Sequence, residues 1–440
     1  MKRDKPILCL CLLLSLGLIL SLAAPTLAAA SINGEIKLDE RAYADGSSNQ
    51  ISWNRAEFKL KVASELSGQA AGYAELKLRT ADGPDVSSLA DLASKSKVSA
   101  YSLELREAYI DIFGFPLSNL DIRAGKQRIA WGTADKLNPT DNLNPYDFTD
   151  FLDFGEKIPT NAMKLTGYFD NTTLTLASLP VFTPAAMPST FDSSINGYIN
   201  AYLPAGMTLV SSESQLTLPN ATLGNSMYAL KLARTIWGQD ISISYFKGYD
   251  SVPNLSNLTL TAVSATQMAS ALTMTYPEIQ VLGYDLAGSF NDIGYWLEVA
   301  SFTPDQADQT VISPAGTTTT EVGQYTKYTV GWDYTFTYDI YVNQQWMHGF
   351  FDERGSTLSD FLITRIEKKV MDDDVLLALN WLAEYNNGVV GNMFGPKVSF
   401  YPADATEIEL GGFNITGAAG STLSTWANLD QVYLRFKYSF

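Results

Sequence analysis

The sequence is nearly without the side chains that carry thiol and imidazole chemistry, with two cysteines and one histidine among 440 residues. Cys9 and Cys11 both lie in an apolar run near the N-terminus, so the chain beyond that run has no thiol. Disulfides, thiol nucleophiles and cysteine-ligated metals are therefore excluded there. His348 stands alone, which excludes a zinc site built on a pair of histidines. We predict no metal site and no cofactor.

Catalytic patterns are scarce as well. The sequence has no glycine-rich loop of the kind that cradles phosphate. A serine hydrolase needs a serine activated by a histidine, and Ser356 and Ser359 are the serines that follow His348 at short range. Proximity along the chain alone is thin support for such a pair. The sequence therefore predicts that the protein is not an enzyme.

Positive charge is in short supply: 30 lysines and arginines face 47 aspartates and glutamates, giving a net charge of -17. Removing residues 1–30 takes away Lys2, Arg3 and Lys5 together with Asp4, which changes the net charge from -17 to -19. A protein that binds nucleic acid presents a basic face to the phosphates. We therefore predict that nucleic acid is not a partner.

The only long apolar run lies at the N-terminus. Residues 7–22 are apolar, a basic start precedes them, and Ala28-Ala29-Ala30 supplies the small residues of a cleavage site. These features predict a secretory signal peptide over residues 1–30 and a single domain over residues 31–440. Beyond the signal, no apolar segment is long enough for a transmembrane helix.

Alternation of apolar and polar residues takes the place of apolar runs in the rest of the chain. Its clearest case is the C-terminal segment, where Val432, Leu434, Phe436, Tyr438 and Phe440 alternate with Gln431, Tyr433, Arg435, Lys437 and Ser439. A strand with one apolar face, a secretory signal and a terminal aromatic residue together predict an all-β, transmembrane antiparallel barrel of a bacterial outer membrane. Tyr438 and Phe440 are the expected signal for the barrel-assembly machinery, and outer-membrane lipids are the expected surroundings.

The same period of two predicts about eighteen strands, with short turns and long loops alternating along the chain. One strand breaks the period, and a bulge near Arg106 restores it. Residues 356–387 also fit a helix, which leaves sixteen strands open. The predicted strands are 31–45, 50–65, 68–80, 98–112, 119–130, 161–170, 171–181, 225–236, 239–250, 277–290, 291–303, 322–335, 337–350, 356–370, 372–387, 390–403, 405–418 and 425–440.

One motif stands out between residues 121 and 141. A Gly-Lys-Gln-Arg strand runs into Trp-Gly, followed by Asp and Asn-Pro-x-Asp. The motif resembles that of a family of outer-membrane porin-like proteins and is distantly similar to alginate-export-type barrels. The resemblance implies an outer-membrane channel without fixing its solute. The matching residues are Gly125, Lys126, Gln127, Trp131, Gly132, Asp135, Asn138, Pro139 and Asp141.

The long loop over residues 131–160 is rich in proline and aspartate, and it resembles the porin loop that folds inward and narrows the pore. Its carboxylates would then face basic residues of the wall, either to order passing solutes or only to hold the loop down. The expected constriction and pore-lining residues are Lys59, Lys61, Lys77, Arg79, Arg106, Arg123, Arg128, Asp135 and Asp141.

These patterns favour a porin-like channel for small polar solutes, with anions suggested by the basic wall of the second to fifth strands. Three other functions stay open: a conduit that exports an acidic polysaccharide, a barrel sheath around a partner such as a multihaem cytochrome, and an adhesin or structural barrel with a plugged lumen whose outer loops bind. A sheath needs a wide lumen, so an inward loop excludes it. By analogy with porins, a homotrimer is the expected assembly.

Overall fold

The computed structural model describes residues 30–44, 50–150, 153, 155–189, 191–386 and 388–440. The predicted signal peptide lies outside these residues, apart from Ala30. Among the described residues, no helix is long and apolar enough to cross a membrane.

Eighteen of the strands, numbered in chain order, form one closed antiparallel sheet. They are β1 (Ser31–Tyr43), β2 (Ile51–Ser67), β3 (Ala70–Thr80), β4 (Tyr101–Ile112), β5 (Leu120–Gln127), β6 (Thr160–Phe169), β7 (Thr172–Leu179), β9 (Met227–Ile236), β10 (Gln239–Tyr249), β13 (Glu278–Phe290), β14 (Ile293–Asp305), β17 (Tyr325–Phe336), β18 (Ile340–His348), β19 (Asp360–Val370), β20 (Val375–Asn386), β21 (Val389–Ala403), β22 (Thr406–Gly417) and β23 (Gln431–Ser439). β1 pairs with both β2 and β23, which closes the barrel. The predicted fold and the predicted count of eighteen strands are confirmed. The alternative of sixteen strands is wrong, because residues 356–387 form β19 and β20 instead of a helix.

The two ends of the barrel differ in the length of their connections. One end has tight turns such as 170–171 and 291–292, where Asn291 and Asp292 both have positive φ, as a two-residue hairpin requires. The other end carries the long loops 81–100, 128–159, 180–226, 250–277 and 306–324. This alternation confirms the predicted arrangement.

Alternate residues of each strand point to lipid and to the lumen. On β1, the side chains of Ile32 and Ile36 are more than half exposed, whereas Asp39 and Arg41 are almost fully buried. Apolar groups can stay exposed on the outer face because that face meets hydrocarbon instead of water. The bulge predicted near Arg106 is confirmed, since the β3–β4 register shifts between Glu75 and Leu76.

The predicted loops contain more structure than expected. Three of them contribute a separate five-stranded sheet of β8 (Thr208–Leu216), β11 (Asn254–Ala262), β12 (Gln267–Thr275), β15 (Gln309–Ser313) and β16 (Gly316–Thr320). A helix, Phe191–Ala201, packs Ile199 against Leu258 and Met268 of this sheet. Shorter helical segments are Asp91–Ala93, Lys95–Val98, Leu223–Asn225 and Leu423–Trp426.

The C-terminal residue closes the seam of the barrel. The Phe440 N–H donates to the Gly34 carbonyl at 3.0 Å, and the Gly34 N–H donates back at 2.8 Å. The Phe440 ring stacks on Phe58, with 6.2 Å between the ring centroids, and it crosses Gly34 so closely that a Cβ there would lie 2.4 Å from the ring. Gly34 is thus required by the close approach of the ring.

We expect Gly34→Val to weaken the seam, because its Cβ would also lie 2.5 Å from the Lys59 carbonyl oxygen of β2. Overpacking of this kind costs about 2 kcal/mol. The temperature at which the folded band is lost on a denaturing gel should fall. Gly68→Val is the matched control, since no atom lies within 4 Å of a Cβ at that turn. An equal fall for both variants would contradict the role given to Gly34.

Candidate functional site

Residues 128–159, the constriction loop, leave the wall at the end of β5. The strand ends at Gln127, three residues before the predicted end, because side chains replace the ladder bonds beyond it. The Arg128 N–H donates to Glu107 at 3.1 Å, and the Ile129 N–H donates to Asn144 at 2.7 Å. Asn144 lies within the loop, so a loop side chain satisfies a backbone N–H group that would otherwise lack a partner where the chain leaves the wall.

Glu298 of β14 is the main anchor of the constriction loop on the far wall. Its carboxylate accepts hydrogen bonds from the backbone N–H groups of Thr133 and Ala134, the latter at 2.6 Å. It also accepts from Asn138 Nδ2 at 2.9 Å and from the Thr140 hydroxyl at 2.8 Å. Glu298 has no exposed surface. A fully buried carboxylate is stabilised when donors converge on it in this way.

Gln345 of β18 gives the loop a second anchor near Glu298. Its side-chain oxygen accepts from the Asp135 N–H at 3.0 Å, and its Nε2 donates to the Asp135 carbonyl at 3.2 Å. Trp296 fixes the orientation of this amide by donating from Nε1 to the same oxygen at 2.9 Å. The loop that leaves β5 therefore crosses the lumen to β14 and β18.

The acidic tip of the loop returns to the N-terminal wall. Arg41 of β1 pairs with Asp150 at 2.7 Å, and Arg106 of β4 pairs with Glu156 at 2.5 Å. Lys77 of β3 lies 3.9 Å from Glu156. Burial raises the pKa of Glu156, and the two cations act against this shift. The predicted opposition of an acidic loop and a basic wall thus appears as ion pairs that hold the loop down.

The other predicted pore-lining residues fall into three groups. Lys59 and Arg79 line a cavity of about 470 Å³ together with the loop tip. Lys61 is nearly half exposed and lies 4.0 Å from Glu75. Arg123 lies below the loop, where it pairs with Asp111 at 2.7 Å. Each of these basic residues points into the lumen.

Two expected pore-lining residues do not face the wall. Arg128 pairs with Asp141 inside the constriction loop, and Asp141 is 2% exposed. Asp141 was expected to face basic residues that included Arg128, and it pairs with that arginine, which lies one residue beyond the end of β5 at the base of the loop. Asp135 reaches the lumen, but it faces the wall of β18–β23 instead of the second to fifth strands.

An open space remains beside the constriction loop and is named here the conduit. It has a volume of about 1390 Å³. One side of it is the loop, with Asp135, Asp150 and Asp153, and the other is the wall from β18 through β23 to β1. The basic side chains of that wall are Lys37, Arg365, Lys397 and Arg435. Four cations thus lie on the wall side of the conduit together with Glu409, and three carboxylates lie on the loop side together with Lys136.

Most motif residues serve the loop, which explains their spacing. Gly125 and Gly132 have positive φ, and a Cβ at Gly125 would lie 2.3 Å from the Ala108 carbonyl oxygen. Gln127 Nε2 donates to the Ala162 carbonyl at 2.9 Å, and Trp131 is buried. The Pro139 carbonyl accepts from Asn142 Nδ2 at 2.8 Å within the turn. Lys126 is the exception: it lies half-buried on the outer face, where its Nζ donates to the Leu105 carbonyl at 2.6 Å.

We expect Gly132→Ala to unseat the loop, because its Cβ would lie 2.5 Å and 2.7 Å from the two Glu298 carboxylate oxygens. Gly388→Ala is the matched control: its φ of 87° is close to the 85° of Gly132, but no atom lies within 4 Å of its Cβ. Single-channel recordings should show larger and noisier steps for the Gly132 variant alone. The same change in both variants would mean that backbone strain, and not the contact with Glu298, is responsible.

The two wall residues that anchor the loop, Glu298 and Gln345, were not predicted from the sequence. Glu298 had a detectable signal: it is a lone carboxylate at an inward position, between Trp296 and Ala300 of the same face. Gln345 had none, since a neutral amide on an inward face is ordinary for a barrel. The basic residues of the conduit wall, Lys37, Arg365, Lys397 and Arg435, were not predicted either.

A closed eighteen-stranded barrel with an exposed apolar outer face defines a class: the protein is a transmembrane β-barrel of the outer-membrane type. Its sequence matches no protein-family model and no curated protein. Two solved structures of OpdK (OccK1) from Pseudomonas aeruginosa, one of them with vanillate, share its fold. Each aligns with a TM-score of 0.53 and 8% identity over 94% of this chain and 100% of the other.

Proposed function

We propose that this barrel is a channel that passes small polar solutes through the conduit, with a preference for anions. The observation that carries the proposal is the constriction loop, which crosses the lumen and still leaves a charged passage beside it. Among the described residues that line the conduit, five are basic and four are acidic. Most of the cations lie on the wall and most of the carboxylates on the loop, with Glu409 and Lys136 as the exceptions, so a field runs across the conduit and orients polar solutes.

The constriction loop argues against a sheath around a partner protein and against a conduit for polysaccharide export. A sheath around a folded partner needs an unobstructed lumen, and the anchors at Glu298 and Gln345 carry the loop across it. An export conduit for an acidic polysaccharide needs a continuous basic path, whereas Asp150 and Asp153 line the conduit. A channel for small solutes is compatible with both features.

The proposal includes a role for the predicted pore-lining residues. The ion pairs of Lys77 and Arg106 keep the loop tip against the wall, and Asp135 contributes to the acidic side of the conduit. The proposed lining of the lumen around the loop is Lys59, Lys61, Lys77, Arg79, Arg106 and Arg123, with Arg128 and Asp141 bracing the loop from within. No residue is given a catalytic role.

Membership in the porin-like family with the Gly-Lys-Gln-Arg…Trp-Gly motif is part of the proposal. It is supported by the place of the motif, since its glycines and Asn138 fit against the wall and Glu298. We also propose three features that the sequence predicts. The signal peptide is cleaved, the barrel-assembly machinery recognises Phe440 and inserts the barrel, and the barrel assembles as a homotrimer.

Liposome swelling with three solutes of nearly equal size tests the proposal. Glucose is neutral, gluconate carries a negative charge and glucosamine a positive one. We expect gluconate to enter about twofold faster than glucose, with glucosamine slowest, because basic side chains outnumber acidic ones by five to four along the conduit. Faster entry of glucosamine would overturn the anion preference. No swelling with any of the three would overturn the channel.

A further inference from the structure

A second cavity lies between the constriction loop and the outer loops that cover it, and is named here the chamber. The empty space within it, counted up to where it opens outward, is about 620 Å³. The constriction loop contributes Asp141 and Lys157, β17 contributes Lys327, and the loop after β10 contributes Asp250. Phe351 covers the chamber and packs on the rings of Tyr146 and Phe148.

Lys157 and Lys327 both point into the chamber from buried positions. Lys157 is 6% exposed and Lys327 is 5% exposed. Among the described residues, neither ammonium group forms an ion pair with a carboxylate. Lys157 donates to the Asp141 carbonyl at 3.0 Å, and Lys327 donates to the carbonyls of Phe350 and Phe351. Each ammonium carries three N–H donors, so donors remain for a ligand.

The carboxylates of the chamber are already neutralised by other cations. Asp141 pairs with Arg128, and Asp250 pairs with Arg354 at 2.8 Å. The Arg354 guanidinium also donates to the Val252 carbonyl at 2.7 Å. Each aspartate of the chamber lining is thus matched to an arginine. Carboxylates outside that lining also attract the lysines, Glu298 acting on Lys157, and Asp352 and Glu353 acting on Lys327, but none of the described ones forms an ion pair with either ammonium group.

Two buried cations without a directly paired carboxylate are costly unless something compensates them. Aromatic faces supply part of the compensation: Lys157 lies 3.2 Å from the centroid of the Tyr146 ring, and Lys327 lies 5.5 Å from that of Phe302. Burial still lowers the pKa of Lys157 to about 7. A bound anion is the ligand that this combination of charge, donors and enclosure fits.

We infer that the chamber binds a small monovalent anion, chloride or a short carboxylate, between Lys157 and Lys327, and that this anion joins the constriction loop to the wall at β17. The site is distinct from the conduit and does not depend on solute passage. The anion is a fixed part of the folded pore, with two lysines from different elements as its ligands.

The test is the thermal unfolding of the purified barrel in detergent as sodium chloride, or separately sodium acetate, is raised from zero. We expect the midpoint of the unmodified protein to rise by about 3 °C more than that of Lys157→Met or Lys327→Met. Lys61→Met is the matched control, because Lys61 is a lumen lysine far more exposed than these two, and it should respond as the unmodified protein does.

The two salts distinguish the sources of the anion. A response to chloride alone assigns the site to a halide, and a response to both assigns it to small monovalent anions in general. Equal salt responses of all four proteins would overturn the inference. If the methionine variants do not fold, crystals of the unmodified protein in sodium bromide decide: an anomalous peak between the two ammonium groups is expected, and its absence overturns the site.

Discussion

Replacing Glu298 by glutamine is expected to release the constriction loop and raise the single-channel conductance about twofold, since the lumen of an eighteen-stranded barrel is wide once nothing crosses it. One carboxylate oxygen of Glu298 accepts from Thr133, Ala134 and Asn138, and the other accepts from Thr140. An amide offers one acceptor and places an NH₂ group against the remaining donors. Leaving buried donors without acceptors costs roughly 2–5 kcal/mol in total.

Asp285→Asn is the control for this variant. Asp285 is also a buried, inward carboxylate, but its partners Lys231 and Ser242 lie on the wall strands β9 and β10. The same chemical change there should leave the conductance unaltered. If both variants conduct as the unmodified barrel does, Glu298 does not hold the loop across the lumen.

Reversing one charge of the conduit wall, with Arg365→Glu, is expected to shift the ion preference toward cations by about threefold in permeability ratio. Arg365 lines the conduit, and its partner Glu367 lies on the same strand. The substitution therefore adds negative charge opposite the acidic loop. The measurement is the reversal potential in a tenfold gradient of potassium chloride.

Lys369→Glu is the matched control, because Lys369 lies on the same face of β19 at its turn end, beside Asp373. It makes the same change of charge outside the conduit. We expect a much smaller shift of the reversal potential. A larger effect from Lys369 than from Arg365 would place the selective region at the turn end of the barrel.

Most of the barrel could be predicted from the sequence because its rule is local. Lipid requires an apolar residue at every second position, and hairpins join neighbouring strands, so period and turn residues suffice to count the strands. The small sheet of β8, β11, β12, β15 and β16 was missed because it lies outside the membrane. There the alternation is weak, and β8 and β16 are short of apolar residues.

The site could be predicted only in part. The motif located the constriction loop, because Gly132 and Asn138-Pro139 mark a sharp departure from a strand. The wall residue that anchors the loop could not be predicted in this way. Glu298 lies 158 residues after Thr140, and their contact depends on how the barrel closes. The conduit could not be predicted for the same reason. Its wall is formed by β18–β23 together with β1, and β1 meets β23 only when the barrel closes at the seam.

The constriction loop narrows the lumen without sealing it. Single-channel recording of the mature, unmodified barrel in a planar bilayer, with its reversal potential in a salt gradient, is the measurement that decides this. We expect stable conductance steps and a reversal potential that shows a preference for anions. A verified folded barrel that shows no conductance would contradict this expectation, because the conduit beside the loop would then be closed.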